Sequence, residues 1–323
     1  MTTTTRQSAL RSFSAGTSQV GPVLLAVKPT ATLGAPLAVA AWLAAREDRE
    51  LRIVSVVEPP PVIVSDGAAI PPLPTEYLEA ERATISHDLS HELRARGAIH
   101  DDAQLDVLDG PSLGSIMDSA RQCEARVIVI GSGRHEPMGR FVYGERALEI
   151  LGIADRPVLV VPPSGIAATI NVAIVATDFT LASVRAARAI LPMLAHGGRM
   201  IVVHVKTGLT RNEETAAWWN DAYERRCADY LAQFIRRLPT VPGITVEEKF
   251  LRGSDAARTI VEYAAQQNAN LIACGRLGHP LLQRVFVGSV SSAIVRRATC
   301  PVLVAPEHAG DADAAWNEGA RGG

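Results

Sequence analysis

Short, nearly unbroken apolar runs alternate along the chain with longer stretches in which apolar positions recur every three or four residues. The runs are VLLAV (Val23–Val27), LRIVSVV (Leu51–Val57), one near Gln104–Leu108, RVIVI (Arg126–Ile130) and PVLVV (Pro157–Val161), then VAIVA (Val172–Ala176), MIVVHV (Met200–Val205), TVEEKFL (Thr245–Leu251), NLIAC (Asn270–Cys274) and PVLVA (Pro301–Ala305). Several are apolar at successive positions, as in strands of a parallel sheet covered on both faces. Between them, Leu113, Ile116, Met117 and Ala120 have the spacing of one buried helix face, and so do Ala257, Ile260, Val261 and Ala264. Further helices are predicted over Ser183–His196, stopped by Gly197-Gly198, over Asn212–Leu238, Ala256–Asn268 and Ser289–Arg297. Strands alternating with helices imply right-handed crossovers and a doubly wound α/β sheet.

The pattern occurs twice. ADRPVLVVPP (Ala154–Pro163) matches ATCPVLVAPE (Ala298–Glu307), and the register runs backward without a gap, placing Gly131 over Gly275, His135 over His279 and Gly144 over Gly288, each 144 positions apart. The expected organisation is a disordered tail over 1–20, a first domain over 21–163, a second over 164–307 and a disordered tail over 308–323. PPSGIAAT (Pro162–Thr169) is the linker, short enough that the domains pack on each other. The N-terminal tail has the Ser, Thr and Arg content of an organelle transit peptide, but an unstructured end is the plainer reading.

At 323 residues, with 47 % hydrophobic and 20 % charged residues and a formal charge of -2, the composition is that of a soluble globular protein and argues against a polybasic nucleic-acid binder. Aromatics at 5 % also speak against base-stacking platforms. Val23–Val27 stops at Lys28, far short of a membrane span, so no membrane association is expected. Cys123, Cys227, Cys274 and Cys300 form no CxxC pair, which suits neither a zinc site nor a disulfide framework and points to a reducing cytoplasm.

The candidate chemistry lies in GRLGHPLLQRVFVGSVSS (Gly275–Ser292). Gly275 follows the fourth strand of its unit, at the carboxyl end where open α/β sheets place ligands. A glycine there lets backbone approach a ligand with no Cβ between. Gly288-Ser289 opens the last helix, whose first amides are unpaired and whose dipole favours an anion, with the Ser289 and Ser291 hydroxyls as further donors. Asp178 ends the first strand of the unit, next to the fourth across a switch point in the order 3-2-1-4-5, where a carboxylate suits ribose hydroxyls. Val205, closing the second strand, can present backbone to an adenine edge. His279 and Arg284 are either phosphate contacts or solvated loop residues.

The strand-ending Asp178, the loop glycines Gly275, Gly278 and Gly288 followed by Ser289, and the closing CPVLVAP resemble a universal stress protein domain of the ATP-binding kind. The resemblance covers both units, nearly all of residues 21–307, with the ligand motif whole only in the second. It implies tandem Rossmann-like, five-stranded domains similar to adenine nucleotide alpha hydrolases. It also implies ATP, with or without Mg²⁺, in a pocket of Ala176, Thr177, Asp178, Val205, Gly275, Arg276, Gly278, His279, Gly288, Ser289, Val290 and Ser291. There Thr177 and Asp178 meet adenosine, Val205 meets adenine, Gly275 and Gly278 flank ribose and phosphate, and Gly288, Ser289 and Val290 meet phosphates. Dimerisation through the fifth strand is implied as well. PVLVV and PVLVA are apolar edges that need covering, and the two copies can cover each other as a pseudo-dimer; a homodimer of tandem chains is a further option.

The first copy departs from the pattern. Lys28 stands where Asp178 would, Arg134 replaces the second glycine, and Glu145 replaces the serine at the helix start. A carboxylate about 4 Å from a phosphate charge repels it by roughly 4 kcal/mol at an effective dielectric near 20, on the order of a thousandfold in affinity. The first domain is therefore not expected to bind ATP appreciably.

Other features carry less. His87 and His91 share a helix face but lack the intervening glutamate and third ligand of a zinc hydrolase. Trp218-Trp219 reads as domain packing, and Cys274 and Cys300 as small core fillers. The leading expectation is an ATP-binding stress-response module acting on an unidentified regulatory protein partner, with no catalytic residues assigned. An ATPase on the same fold lacks a Walker A ending and an evident carboxylate pair for Mg²⁺. A ligand-free tandem scaffold is the third class, with the Pro-rich excursion Val57–Tyr77 as a lid, a docking loop or a plain surface loop; a flavin-binding electron carrier is a weaker fourth.

Overall fold

The computed structural model describes residues 21–28, 33–58, 64–65, 68–69, 75–99, 104–132, 145–165, 169–207, 213–276 and 288–307. In chain order the first half runs β1 (Val23–Val27), α1 (Gly34–Arg46), β2 (Leu51–Val57), β3 (Val64–Ser65), β4 (Ala68–Ala69), α2 (Thr75–Ala95), β5 (Leu105–Asp109), α3 (Ser112–Gln122), β6 (Val127–Gly131), α4 (Glu145–Ile153) and β7 (Val158–Val161). The second runs β8 (Ile170–Ala176), α5 (Leu181–Ile190), β9 (Leu194–Lys206), α6 (Glu213–Arg236), β10 (Thr245–Arg252), α7 (Ala256–Gln266), β11 (Leu271–Gly275), α8 (Ser289–Arg297) and β12 (Val302–Ala305).

Ten of these strands form one sheet in the order β10-β9-β8-β11-β12-β7-β6-β1-β2-β5. Each half has the doubly wound order 3-2-1-4-5, with every pairing inside a half parallel. The halves meet where β12 pairs β7 antiparallel, Val302 opposite Val160 and Val304 opposite Val158. Each apolar fifth strand is thus covered by its copy, which is the expected pseudo-dimer.

Alternate residues of the apolar runs go to opposite faces, as the period of two requires. Leu25, Ile53, Val129, Ala173 and Val175 pack in one layer, under α1, α2, α5 and α6. Leu24, Val54, Ile128, Ile174 and Ile272 pack in the other, under α3, α4, α7 and α8. Both layers run through both halves. α3 and α7, β6 and β11, α4 and α8, and β7 and β12 begin and end 144 residues apart.

One predicted helix is too long. Instead of reaching His196, α5 ends at Ile190, tightens into a 3-10 turn over Leu191–Met193, and passes into β9 at Leu194. Pro192 lacks the N–H that an α-helix would use there, and its ring would crowd the carbonyl four residues back. Gly197, at φ +82°, donates its N–H to the Gly243 carbonyl at 2.7 Å, so the glycine pair belongs to the strand and not to a helix end. Within the Pro-rich excursion, β3 and β4 pair antiparallel, Val64 opposite Ala69; much of the rest lies outside the described residues, as do both tails and the side chains of Trp218 and Trp219. His87 and His91 are exposed on α2.

Candidate functional site

In the second half β8 and β11 are neighbours whose crossovers leave in opposite directions, opening a crevice at their carboxyl ends. The turn leaving β8 forms one wall. Thr177 is buried and donates its N–H to the Val203 carbonyl at 2.9 Å. Its hydroxyl accepts the Phe179 N–H at 2.9 Å and lies 2.9 Å from the Ser183 hydroxyl. Ser183 gives its own proton to the Thr180 carbonyl at 2.8 Å, so the proton between the two hydroxyls is the one on Thr177. Asp178 is exposed at the tip of the turn. Its Oδ1 accepts the Thr180 N–H at 3.2 Å and hydroxyl at 2.6 Å, and among the described residues nothing bonds Oδ2. Phe179 follows at φ +68°, a left-handed conformation that strains a bulky residue.

The opposite wall is the start of α8. Gly288 is its N-cap and Ser289 its first residue. The first helical bond runs from the Ser292 N–H to the Gly288 carbonyl at 3.0 Å, so the amides of Ser289, Val290 and Ser291 precede the ladder and point outward. No acidic residue lies in this first turn, while Ser289 and Val290 are exposed. Ser291 differs from its expected role: it is 3 % exposed and donates its hydroxyl to the Gly288 carbonyl at 3.0 Å, so its proton fastens the cap instead of facing a ligand.

At the end of β11, Gly275 has a packing reason besides the one its motif suggests. A Cβ there would lie 2.7 Å from the Ala182 Cβ, 2.7 Å from the Ser183 nitrogen and 2.8 Å from the Ala182 carbonyl carbon. The missing side chain lets the first turn of α5 press onto β11. Arg276 is also turned away from the crevice. Its N–H bonds the Ala305 carbonyl at 2.7 Å, and its guanidinium donates across the pseudo-dimer to the carbonyls of Leu151, at 2.7 Å, and Gly152 at the end of α4. Burial lowers its pKa. Beneath the crevice, burial and then the Asp178 charge push the Cys274 thiol up to about 12. Ala176 is buried at the end of β8 and Val205 half-buried on β9. Gly278, His279 and Arg284 lie outside the described residues.

The strand registers align the two crevices. Ala26 faces Ile130 as Ala176 faces Cys274, which puts Lys28 in the place of Asp178. Glu145 opens α4 as Ser289 opens α8. Arg146, in the place of Val290, donates to Glu58 at 2.6 Å and to the Ser112 hydroxyl at 2.9 Å, while the Ser112 N–H bonds the other Glu58 oxygen at 3.2 Å. Ser112 and Arg146 hold the Glu58 carboxyl below its ordinary pKa. The first crevice is thus bridged by the protein's own charges, from the end of β2 to the starts of α3 and α4. Arg134 lies outside the described residues.

Sequence reasoning missed the aromatic group beside Asp178. The His204 ring centroid is 4.5 Å from that of Phe179 and 6.1 Å from that of Phe250, and Tyr230 lies 5.3 Å from Phe179. The one sequence signal was position, since His204 directly precedes Val205. Among the described residues no group of three or more His, Cys, Asp or Glu could hold a metal, and no helix is long and apolar enough to cross a membrane.

Comparisons with known proteins agree with this architecture. Residues 20–162 and 170–306 each match the Universal stress protein family. A universal stress protein of Methanocaldococcus jannaschii is 34 % identical over 70 residues, 22 % of this chain and 41 % of that protein, so the match spans less than half its length. One from Thermus aquaticus is 30 % identical over 111 residues, 34 % of this chain and 79 % of the relative. The crystal structure of a universal stress protein from Archaeoglobus fulgidus superposes with a TM-score of 0.56 at 17 % identity, covering 90 % of this chain and 97 % of that one. Doubled sheet order, repeated helices and two successive family matches together make this chain a tandem member of the universal stress protein family.

Proposed function

We propose that the chain is a nucleotide-responsive regulatory module that binds ATP in its second domain (164–307), while its first domain (21–163) acts as a ligand-free partner. The observation that carries this reading is the pairing of two unsatisfied groups across one crevice. On one side are the amides of Ser289, Val290 and Ser291, unpaired among the described residues, with no acid in the first turn of α8; on the other is the Asp178 carboxylate, whose Oδ2 has no partner among the described residues. Amides at a helix start suit phosphate oxygens, and a carboxylate at a strand end suits ribose hydroxyls. Val205 backbone would meet the adenine edge. Mg²⁺ would be carried by the phosphates, since the described residues supply no cage of their own.

Binding itself stabilises the occupied state, so occupancy alone is a signal to a protein partner in the cytoplasm without any hydrolysis. Calorimetric titration of the full chain with ATP tests the proposal. Wild type binds one equivalent. Ser289→Glu, which copies the acid of the first half, loses on the order of a thousandfold, and Asp178→Ala weakens binding without changing the fold. Absence of ATP binding by wild type at millimolar ligand, or unaltered binding by Ser289→Glu, overturns it. Phosphate release in single-turnover mixtures would add an ATPase activity to the same site.

A further inference from the structure

Asp178 is useful only if the turn that carries it is held still, and that turn contains a strained residue, Phe179 at φ +68°. A bulky non-glycine residue in this region is strained and persists only when its surroundings over-determine it. His204 supplies restraint on both sides of the aspartate. Its Nδ1 is 2.8 Å from the carbonyl oxygen of Thr177, the peptide group from which Asp178 springs, and its ring lies 4.5 Å from that of Phe179, the residue that follows. A carbonyl can only accept, so Nδ1 carries the proton. In the neutral ring Nε2 is then the acceptor, and the Tyr223 hydroxyl of α6 stands 3.1 Å from it, fixing tautomer and ring plane together.

The first half supplies the contrast. Ala26 faces Val54 as Ala176 faces Val203, so the residue in the place of His204 is Ser55. Ser55 is fully buried, and its hydroxyl has no hydrogen-bond partner among the described residues. Buried hydroxyls are nearly always paired. The half with lysine in place of the aspartate also lacks the imidazole, and has there a short polar side chain with no partner among the described residues.

We propose that His204 is a positioning residue of the nucleotide site, fixing the Thr177–Thr180 turn so that Asp178 meets the ribose hydroxyls, without touching the nucleotide itself. This rests on the ATP-binding reading above. The experiment compares wild type, His204→Ser and His204→Asn in the full chain. Serine is the residue the fold already accepts at the matching place in the first half, and the asparagine amide can replace the Nδ1 donor. ATP and 2′,3′-dideoxy-ATP are titrated into each, and amide hydrogen exchange at Phe179 and Thr180 is followed in the ligand-free proteins.

His204→Ser should weaken ATP binding on the order of tenfold, the loss of about one hydrogen bond. It should weaken dideoxy-ATP much less, so that discrimination between the two falls, and the two amides should exchange faster. His204→Asn should restore ATP affinity to within about threefold and recover the discrimination. An unchanged affinity in His204→Ser, an equal loss for both nucleotides, or no recovery in His204→Asn overturns the proposal while leaving ATP binding in place. If wild type binds neither nucleotide, the site reading falls with it; unaltered exchange in His204→Ser then also removes the restraint on the turn.

Discussion

Gly275→Ala separates two reasons for a glycine at the end of β11. If the glycine serves the approach of a ligand, alanine weakens nucleotide binding and leaves the empty protein as stable as before. If it serves the packing of α5, alanine destabilises the empty protein. The geometry supports the second. The new methyl would sit 2.7 Å from the Ala182 Cβ and from the Ser183 nitrogen, against an ordinary contact of 3.4–4 Å. Helix and strand would have to part by roughly 0.7 Å, and neither can easily do so: Ala182, Ser183, Ala186, Ala187 and Ile190 are buried, and Gly275 is paired to Ala305 in the sheet. Overpacking of this kind costs about 1–3 kcal/mol. The smaller unfolded-state entropy of alanine offsets about 0.4–1 kcal/mol of that, leaving a net loss of roughly 1–2 kcal/mol.

The repeat contains its own control. At Gly131, the counterpart in the first half, a Cβ would meet, among the described residues, the Pro36 ring carbon alone at 3.2 Å, a contact that a shift of a few tenths of an ångström relieves, so Gly131→Ala should cost less than Gly275→Ala. Thermal unfolding of the ligand-free chain, followed by circular dichroism, should therefore rank Gly275→Ala below both wild type and Gly131→Ala, with a melting temperature lower by about 2–8 °C. Equal stability of all three proteins, with ATP affinity lost only in Gly275→Ala, would refute the packing argument and return the glycine to the ligand.

Two further outcomes follow from the same contacts. Arg276→Ala removes a charged donor from the last carbonyls of α4 and should cost about 1.5–3 kcal/mol, with faster hydrogen exchange in that last turn although it lies in the other half of the chain. Burial raises the thiols of Cys274 to about 12 and Cys300 to about 11, so both stay protonated in the fold when the unfolded chain has ionised; their stabilising effect is complete below the unfolded thiol pKa and declines above it, by about 1.4 kcal/mol per pH unit per thiol, so the alkaline slope of stability should be shallower in Cys274→Ala.

Much of the architecture could be read from the chain because the duplication tests every assignment twice. A helix spacing seen at Leu113–Ala120 and again at Ala257–Ala264 is unlikely to be accidental, and α3 and α7 lie over those positions. The pairing of β7 with β12 was legible for a different reason: an apolar fifth strand needs a cover, and the chain carries two of them. What escaped were consequences of neighbours distant in sequence. The end of α5 depended on weighing Pro192 above the glycine pair that follows. The close approach that Gly275 permits is to the backbone of Ser183, ninety-odd positions earlier, and nothing local reports it. The resemblance placed Arg276 in the ATP pocket, yet α4 of the other half presents two carbonyls within its reach. Ser291 had the right spacing to be a donor, but a hydroxyl one turn into a helix can bond its own cap, and this one does.

The two halves show how a duplicated crevice can diverge without loss of the fold. A site built to receive an anion leaves amides and a carboxylate unsatisfied when empty, a standing cost that ligand binding offsets. The first half has removed that need: Glu58, Arg146 and Ser112 satisfy one another across the mouth, and Lys28 replaces the carboxylate that would have required a partner. In the second half, groups that lack partners among the described residues stand beside a turn held by His204, which under the proposal presents Asp178. Because both layers of core run through both halves, and Arg276 at the second crevice is fastened to the end of the helix that opens the first, a change at one mouth has a rigid path to the other. On the proposed nucleotide-binding reading, the first domain would be the frame against which occupancy of the second is read.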